Sequence, residues 1–430
     1  MTMQINSVEL FGEVVPMWSR RAAQCGTGVV MMSTTVDLSG SFTSDLHGVL
    51  RDAARHGPLA IDEMTGATVV LRQADVEMLA HDHRLSGIGL ALFDMMGIAE
   101  GPLRDWYGQL MFTTEGDYHR RIRSLVSRAF TPRSVEGLRA DAAVMAATAV
   151  SSVQDGGDLV PACSALATRL ICRLLGVPDS DVDVFKQWAE DLSPVFFVMA
   201  PDQIVGATRA ITELQGYVDK LTAQRAKDSG SDLVTALLAA EEDGKRLSHA
   251  ETVTMIANLL VAGHDTAGSQ IPCSVLVALE HREELNGIPE DDVRLASAAA
   301  ETMRLEPSIA LIPRIATSRI DLHDHAIATG SMVFLCIASA CRDTSAWDEP
   351  DRFDAVRFTR PDTAKLLNFG AGTHYCLGTA LAKIAVEESL RAVVAAHPPL
   401  RLTENPADIP WRRVLGRSPA RLLVTRESAT

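Results

Sequence analysis

The sequence predicts a mainly α, α+β fold, and three observations predict it. Ala and Leu are plentiful while aromatics make up 5% of the chain, a balance that favours helices over a β-sandwich. Long stretches carry helical periodicity, among them about 117–153, 248–283, 291–305 and 377–396. Short β-like runs are few and gather mainly between 308 and 340. With hydrophobic residues at 47% of 430, the chain can bury a sizeable core.

Taken in order, residues 1–40 lack clear periodicity and read as a poorly defined lead-in, leaving 41–430 as one domain. The run TVVL at Thr68–Leu71 reads as a strand, with a helix, ADVEMLAHD, behind it. Residues 86–112 are apolar but broken by Gly and Pro, which predicts a long loop with short helical turns. From Asp117 to about Val153 the pattern is helical. Two or three amphipathic helices fill 160–245, interrupted near Pro194 and Pro201. Ser248, with Glu251 three residues on, makes a capping box for a long apolar helix. Pro272 falls inside that helix and forfeits the bond to the Gly268 carbonyl, which predicts a kink. The helix over 291–305 is stopped by Pro307, SMVFLCIAS reads as β, and a last helix closes the chain near 396.

Several function classes are disfavoured. A formal charge of −15 argues against broad nucleic-acid binding, which needs a basic surface. Cys25, Cys163, Cys172, Cys273, Cys336, Cys341 and Cys376 are odd in number and show no CxxC spacing, so neither a disulfide framework nor a zinc site is expected. The N-terminus lacks a basic start followed by an apolar core, and no apolar run approaches the roughly 20 residues of a membrane span. A cytoplasmic protein is the expectation.

The strongest local signal is Phe369-Gly370-Ala371-Gly372-Thr373-His374-Tyr375-Cys376-Leu377-Gly378. Two loop glycines allow positive φ and close approach of backbone to a flat ligand. Cys376 sits just before a helix, where N–H groups and the helix dipole favour a thiolate. A lone cysteine is more often an ordinary buried thiol. The whole string, however, matches FGxGxHxCLG, and the chain resembles the cytochrome P450 family from about residue 68 to its end. The resemblance implies the helix-rich P450 fold with small β-sheets around a buried haem b. Cys376 would be the iron's thiolate ligand, with Phe369, Gly370, His374 and Gly378 in the haem loop.

Other segments resemble the family as well. Glu-x-x-Arg occurs four times, and only Glu301–Arg304 has the right position, in an apolar helix upstream of the loop. With Arg357 it implies a buried structural cluster. Ala262-Gly263-His264-Asp265-Thr266 resembles the oxygen-activation segment. There Gly263 would leave room for dioxygen, Thr266 would bond back to a helical carbonyl or to a ligand, and Asp265 would carry protons. Ala267 stands where many members have a second Thr. His119, Arg123, Arg314 and His374 match the partners of the haem propionates. Gly116-Asp117-Tyr118 stands where many relatives have an acidic residue and two prolines. Arg120, Arg121, Arg123, Arg128 and Arg133 cluster in the same region, a basic patch that could dock an acidic electron donor.

Family positions near the substrate fall on Leu90, Leu92, Phe93, Phe196, Phe197, Val198, Leu259, Ala262, Ile309, Ala310, Ile312, Leu415 and Gly416, which implies an apolar pocket. The resemblance therefore implies a bacterial-type monooxygenase acting on a lipophilic small molecule, by hydroxylation or epoxidation with O2. Electrons would derive from NAD(P)H through a separate ferredoxin or flavodoxin, since no flavin or iron–sulfur motif is fused. Alternatives are a peroxide-driven haem-thiolate enzyme, disfavoured by Asp265 and Thr266, and a non-catalytic haem sensor. The proline in the long helix leaves phenol coupling or ring rearrangement open.

Overall fold

A computed structural model describes residues 34–426, apart from 229, 231, 243 and 414. Cys25 and most of the predicted lead-in lie outside the described residues. Its last part is ordered: Thr35–Val36 (β1) pairs in parallel with Leu59–Asp62 (β2). The sheet continues through Thr68–Val70 (β3), Leu85–Ser86 (β4), Leu311–Ala316 (β5) and Met332–Cys336 (β6), in the order β1-β2-β3-β6-β5-β4. Val333 pairs in parallel with Thr68, and Arg314 lies opposite Val333 in the antiparallel β5–β6 pair. Alternation splits these strands between two cores. Val70, Val333 and Leu335 face one cluster, while Val69, Phe334 and Cys336 face the other.

The longer helices are α1 (Leu46–His56), α2 (Gln73–Ala80), α3 (Gly116–Ala129), α4 (Arg139–Ser152), α5 (Leu159–Leu175), α6 (Val182–Leu192), α7 (Pro201–Arg225), α8 (His249–Glu280), α9 (Asp292–Leu305) and α10 (Thr379–Ala395). They build the main core around α8, whose most extensive packing is against α5. None is long and apolar enough to cross a membrane.

Several expectations change in detail. The pattern over 117–153 is not one helix. Thr131 and Ser134 form a capping box that starts a short helix at Pro132, between α3 and α4. Pro201 does not interrupt a helix but opens α7 at its first turn, where a missing N–H costs nothing. Residues 86–112 carry the two short helices Ala91–Met95 and Pro102–Tyr107. The C-terminal hairpin Trp411–Arg413 (β7) and Arg417–Pro419 (β8) is too short to show periodicity in sequence.

The capping box of α8 forms as expected, and the helix runs continuously through Pro272. The freed Gly268 carbonyl is taken by the Ser164 hydroxyl of α5, at 3.2 Å. At Gly268 the two helices pack closely, with the Ser164 and Ala167 side chains of α5 at ordinary van der Waals distance from where a Cβ would stand. Downstream, the Gln270 amide donates to the Glu306 carbonyl and accepts from the Ser308 N–H, tying α8 to the chain leaving α9.

Candidate active site

Local chemistry shapes the cysteine loop. Gly370 and Gly372 take φ of 68° and 66°, and a Cβ on Gly372 would lie 2.7 Å from the Ala80 carbonyl oxygen. The loop closes with the Cys376 N–H donating to the Phe369 carbonyl at 2.9 Å, two residues before the N-cap Gly378 of α10. Thr379 anchors the turn by donating to the Cys376 carbonyl at 2.8 Å. Among the described cysteines, Cys376 alone is exposed. Burial pushes the other thiols up, those of Cys163, Cys172, Cys336 and Cys341 to about 12. Burial also leads at Cys376 and raises it, against the Gly378 N–H, the Thr379 hydroxyl and the Arg123 charge, which favour thiolate. A thiol that is both accessible and closely surrounded lies in a protein-walled recess, which suits a metal ligand.

The middle of α8 is the second feature. Residues 252–261 and 268–279 are buried, but Ala262 is exposed and Gly263, Asp265, Thr266 and Ala267 are half-buried. The Thr266 hydroxyl donates back to the Ala262 carbonyl at 2.7 Å. Gly263 does not leave the space expected of it. A Cβ there would meet Ile171 of α5 at 3.2 Å, so the glycine admits a neighbouring helix, and Ala262 faces the opening. Asp265 has Oδ1 at 3.7 Å from His264 Nε2, while its Oδ2 is buried without a partner. Burial raises its carboxyl, opposed by the Ser193 hydroxyl and Arg412. His264 is held in turn by Thr168, 2.7 Å away.

Four cationic or protonatable groups gather on another side. His119 is fully buried with neither ring nitrogen partnered, and its ring lies 4.6 Å from that of His374. Burial, then the charges of His374 and Arg123, lower His119 to about 4. Arg123 donates to the Tyr375 carbonyl beside the cysteine. Arg314 is depressed chiefly by burial, with Glu115 acting the other way. Sequence reasoning missed Glu115, whose Oε1 lies 3.0 Å from His374 Nε2 and accepts from the Gly87 N–H. Burial alone would raise its carboxyl, but Gly87 and the two histidines hold it low. Orphaned ring nitrogens among two arginines fit a group that brings carboxylates of its own.

Glu301, Arg304 and Arg357 meet in a buried cluster. Arg304 forms a two-pronged pair with Glu301 at 2.7 and 2.8 Å, and Arg357 Nε lies 3.0 and 3.1 Å from the same oxygens. The remaining arginine donors take the carbonyls of Cys341, Asp348 and Pro350, which staples an irregular segment to α9.

The basic patch is less free than its sequence suggests. Arg120 pairs with Asp117 and Arg121 with Glu251. The pocket residues also divide. Phe93 is wholly buried against Tyr107, and Ala310 is buried in the core of the sheet, so neither borders an opening. Leu259 is nearly buried in the main core. Leu90, Phe196, Phe197, Ile309, Ile312 and Leu415 are half-buried and remain available.

An accessible loop cysteine, an opened central helix and cationic partners for carboxylates define a haem-thiolate protein. The sequence profile of the family Cytochrome P450 matches residues 295–395. Cytochrome P450 107B1 of Saccharopolyspora erythraea is 34% identical over 309 residues, covering 71% of this chain and 74% of that protein. The 6-deoxyerythronolide B hydroxylase of the same organism is 30% identical over 399 residues, 89% of this chain and 96% of the hydroxylase. Among solved structures, the Bacillus subtilis cytochrome P450 PksS of the bacillaene polyketide synthase matches with a TM-score of 0.79 and 26% identity, over 90% of this chain and 98% of that one. The chain belongs to the cytochrome P450 family. It is a haem-dependent monooxygenase that uses O2.

Proposed function

We propose that this enzyme hydroxylates or epoxidises a lipophilic small molecule of the kind a polyketide hydroxylase takes, and that the work divides among the residues as follows. Cys376 holds the iron of a haem b, and His119, Arg123, Arg314 and His374 hold its propionates. When bound, the haem supplies the activation of dioxygen. Ala262 keeps the centre of α8 open beside it. Thr266, free to exchange its bond to the Ala262 carbonyl, orients a proton donor, and Asp265 moves protons inward from the side of His264 and Ser193. Glu301, Arg304 and Arg357 hold the segment that leads into the cysteine loop. Leu90, Phe196, Phe197, Ile309, Ile312 and Leu415 present the apolar surface that receives substrate.

Electrons come from NAD(P)H through a separate ferredoxin or flavodoxin, in the cytoplasm. The arginines of α3 and of the short helix after it, among them Arg123 and Arg133, give an acidic donor a place to dock.

The observation that carries this reading is the conjunction of an accessible Cys376 thiol with an opened patch in the otherwise buried middle of α8, residues 252–279. The spectrum of the reduced protein under carbon monoxide tests it. Wild type should show the red-shifted band of a thiolate-ligated haem, and Cys376→Ala should lose it. Survival of the band in the variant overturns the assignment.

A further inference from the structure

Among the described residues, the β7–β8 hairpin carries a cation with no charged partner. In register, Arg413 lies directly opposite Arg417. A like-charge cross-strand pair costs stability unless each charge is answered elsewhere. Arg417 is answered: its Nη1 lies 3.0 Å from Glu306, its Nε and Nη2 donate to the Phe42 and Ser44 carbonyls, and it stacks on Trp411 at 3.5 Å. Arg413 is not. Among the described residues no carboxylate comes within ion-pair distance of it and no acceptor takes its N–H groups.

What holds Arg413 is a pair of aromatic faces. Its guanidinium lies 4.9 Å from the centroid of Phe42 and 5.4 Å from that of Phe197. Such stacking fixes the planar fork without using any of its five donors. Burial is the main influence on the group and works against its charge, with Asp62 acting from a distance the other way. The side chain is nevertheless exposed. Position adds to this. Phe197 and the tip residue Leu415 are pocket residues in the reading above, on which this inference rests. Strand β8 of the hairpin packs on α8, and Arg413 stands directly across the hairpin from it, one strand away from the helix that carries the opened patch.

We propose that Arg413 is a specificity-determining residue that receives the carboxylate of a lipophilic acid substrate, held between Phe42 and Phe197 with its donors turned to the ligand. The pocket then is apolar with one cationic anchor, and the preferred substrate is an acid rather than a neutral hydrocarbon.

Calorimetry on the haem-loaded enzyme tests this, using a panel of straight-chain and aromatic lipophilic acids, each paired with its own methyl ester. At least one acid should bind roughly tenfold or more tightly than its ester, the worth of one charge-assisted pair. Arg413→Gln should abolish that preference while leaving ester affinity unchanged. Arg413→Lys keeps charge but not the fork, and should lose part of the preference; it serves equally if the glutamine variant does not fold. The proposal is overturned if no acid of the panel is preferred by wild type, or if the preference survives undiminished in the variants. The carbon monoxide spectrum, recorded on every sample, separates the two readings. A missing band sinks the haem assignment, whereas an intact band without acid preference sinks only the role of Arg413.

Discussion

Asp265 carries a cost that its proposed role in moving protons explains. Its Oδ2 is buried without a hydrogen-bond partner, and burial raises the carboxyl above the ordinary value of about 3.9. Between that value and the raised one, the folded protein binds more protons than the unfolded chain. Stability therefore falls as pH rises through the window, and at neutral pH the residue is destabilising. Asp265→Asn should raise the melting temperature at pH 7, by a gain on the order of 1 kcal/mol, and leave it unmoved below pH about 3.9. Turnover should drop roughly a hundredfold, with a changed pH profile. A variant that melts lower at pH 7, or that turns over like wild type, refutes this account. Asp265, Thr266 and Cys376 were legible because each stands in a string whose neighbours constrain it. Glu115 and Ser164 were not, since a single polar residue leaves no periodicity and its partner lies far off in sequence. Gly263 was legible as a position but misread as to cause, because a missing side chain does not announce which neighbour fills the space.

The same contrast appears in the helices. The capping box of α8 lies within four residues and could be read directly, as could its apolar length. The effect of Pro272 could not, because the group that answers the Gly268 carbonyl sits on α5, 104 residues away. If that hydroxyl keeps α8 continuous, Ser164→Ala strands a buried carbonyl and should cost about 1–3 kcal/mol in denaturant unfolding. Pro272→Ala restores an N–H for the same carbonyl, so the cost of Ser164→Ala should shrink in that background. Additive effects of the two substitutions would show that the hydroxyl and the proline are unconnected. The hairpin of β7 and β8 went unread for a related reason, since three-residue strands carry no usable alternation and are fixed by packing on α8.

Across the whole molecule, one buried ion network joins parts that the sequence keeps far apart. Glu306, at the end of α9, accepts from His47 of α1 at 3.0 Å and from Arg417 of β8 at 3.0 Å, with Arg342 at 3.7 Å. Its backbone carbonyl is held by Gln270 of α8. Thus α1 and the hairpin bearing Arg413 share one carboxylate, and the central helix is tied to the backbone of the same residue. Burial by itself would raise Glu306, but His47, Arg417 and Arg342 together bring it to about 2. The unfolded carboxyl titrates near 4.3. Between those values the unfolded chain binds the extra proton, so stability is fully present above about 4.3 and is lost as pH falls toward about 2. His47 works in the same direction: burial lowers it, so acidification below about 6.5 protonates the unfolded histidine first. Glu306→Gln leaves the buried Arg417 without its carboxylate partner, while Arg342 keeps Asp351, and should cost roughly 3–5 kcal/mol at pH 7. It should also flatten the acid limb, because the variant has no carboxylate left to titrate there. Denaturant unfolding of both proteins from pH 7 down to the acid limb distinguishes the contributions. An acid limb equally steep in the variant would mean that other carboxylates, and not Glu306, hold the domain together at low pH.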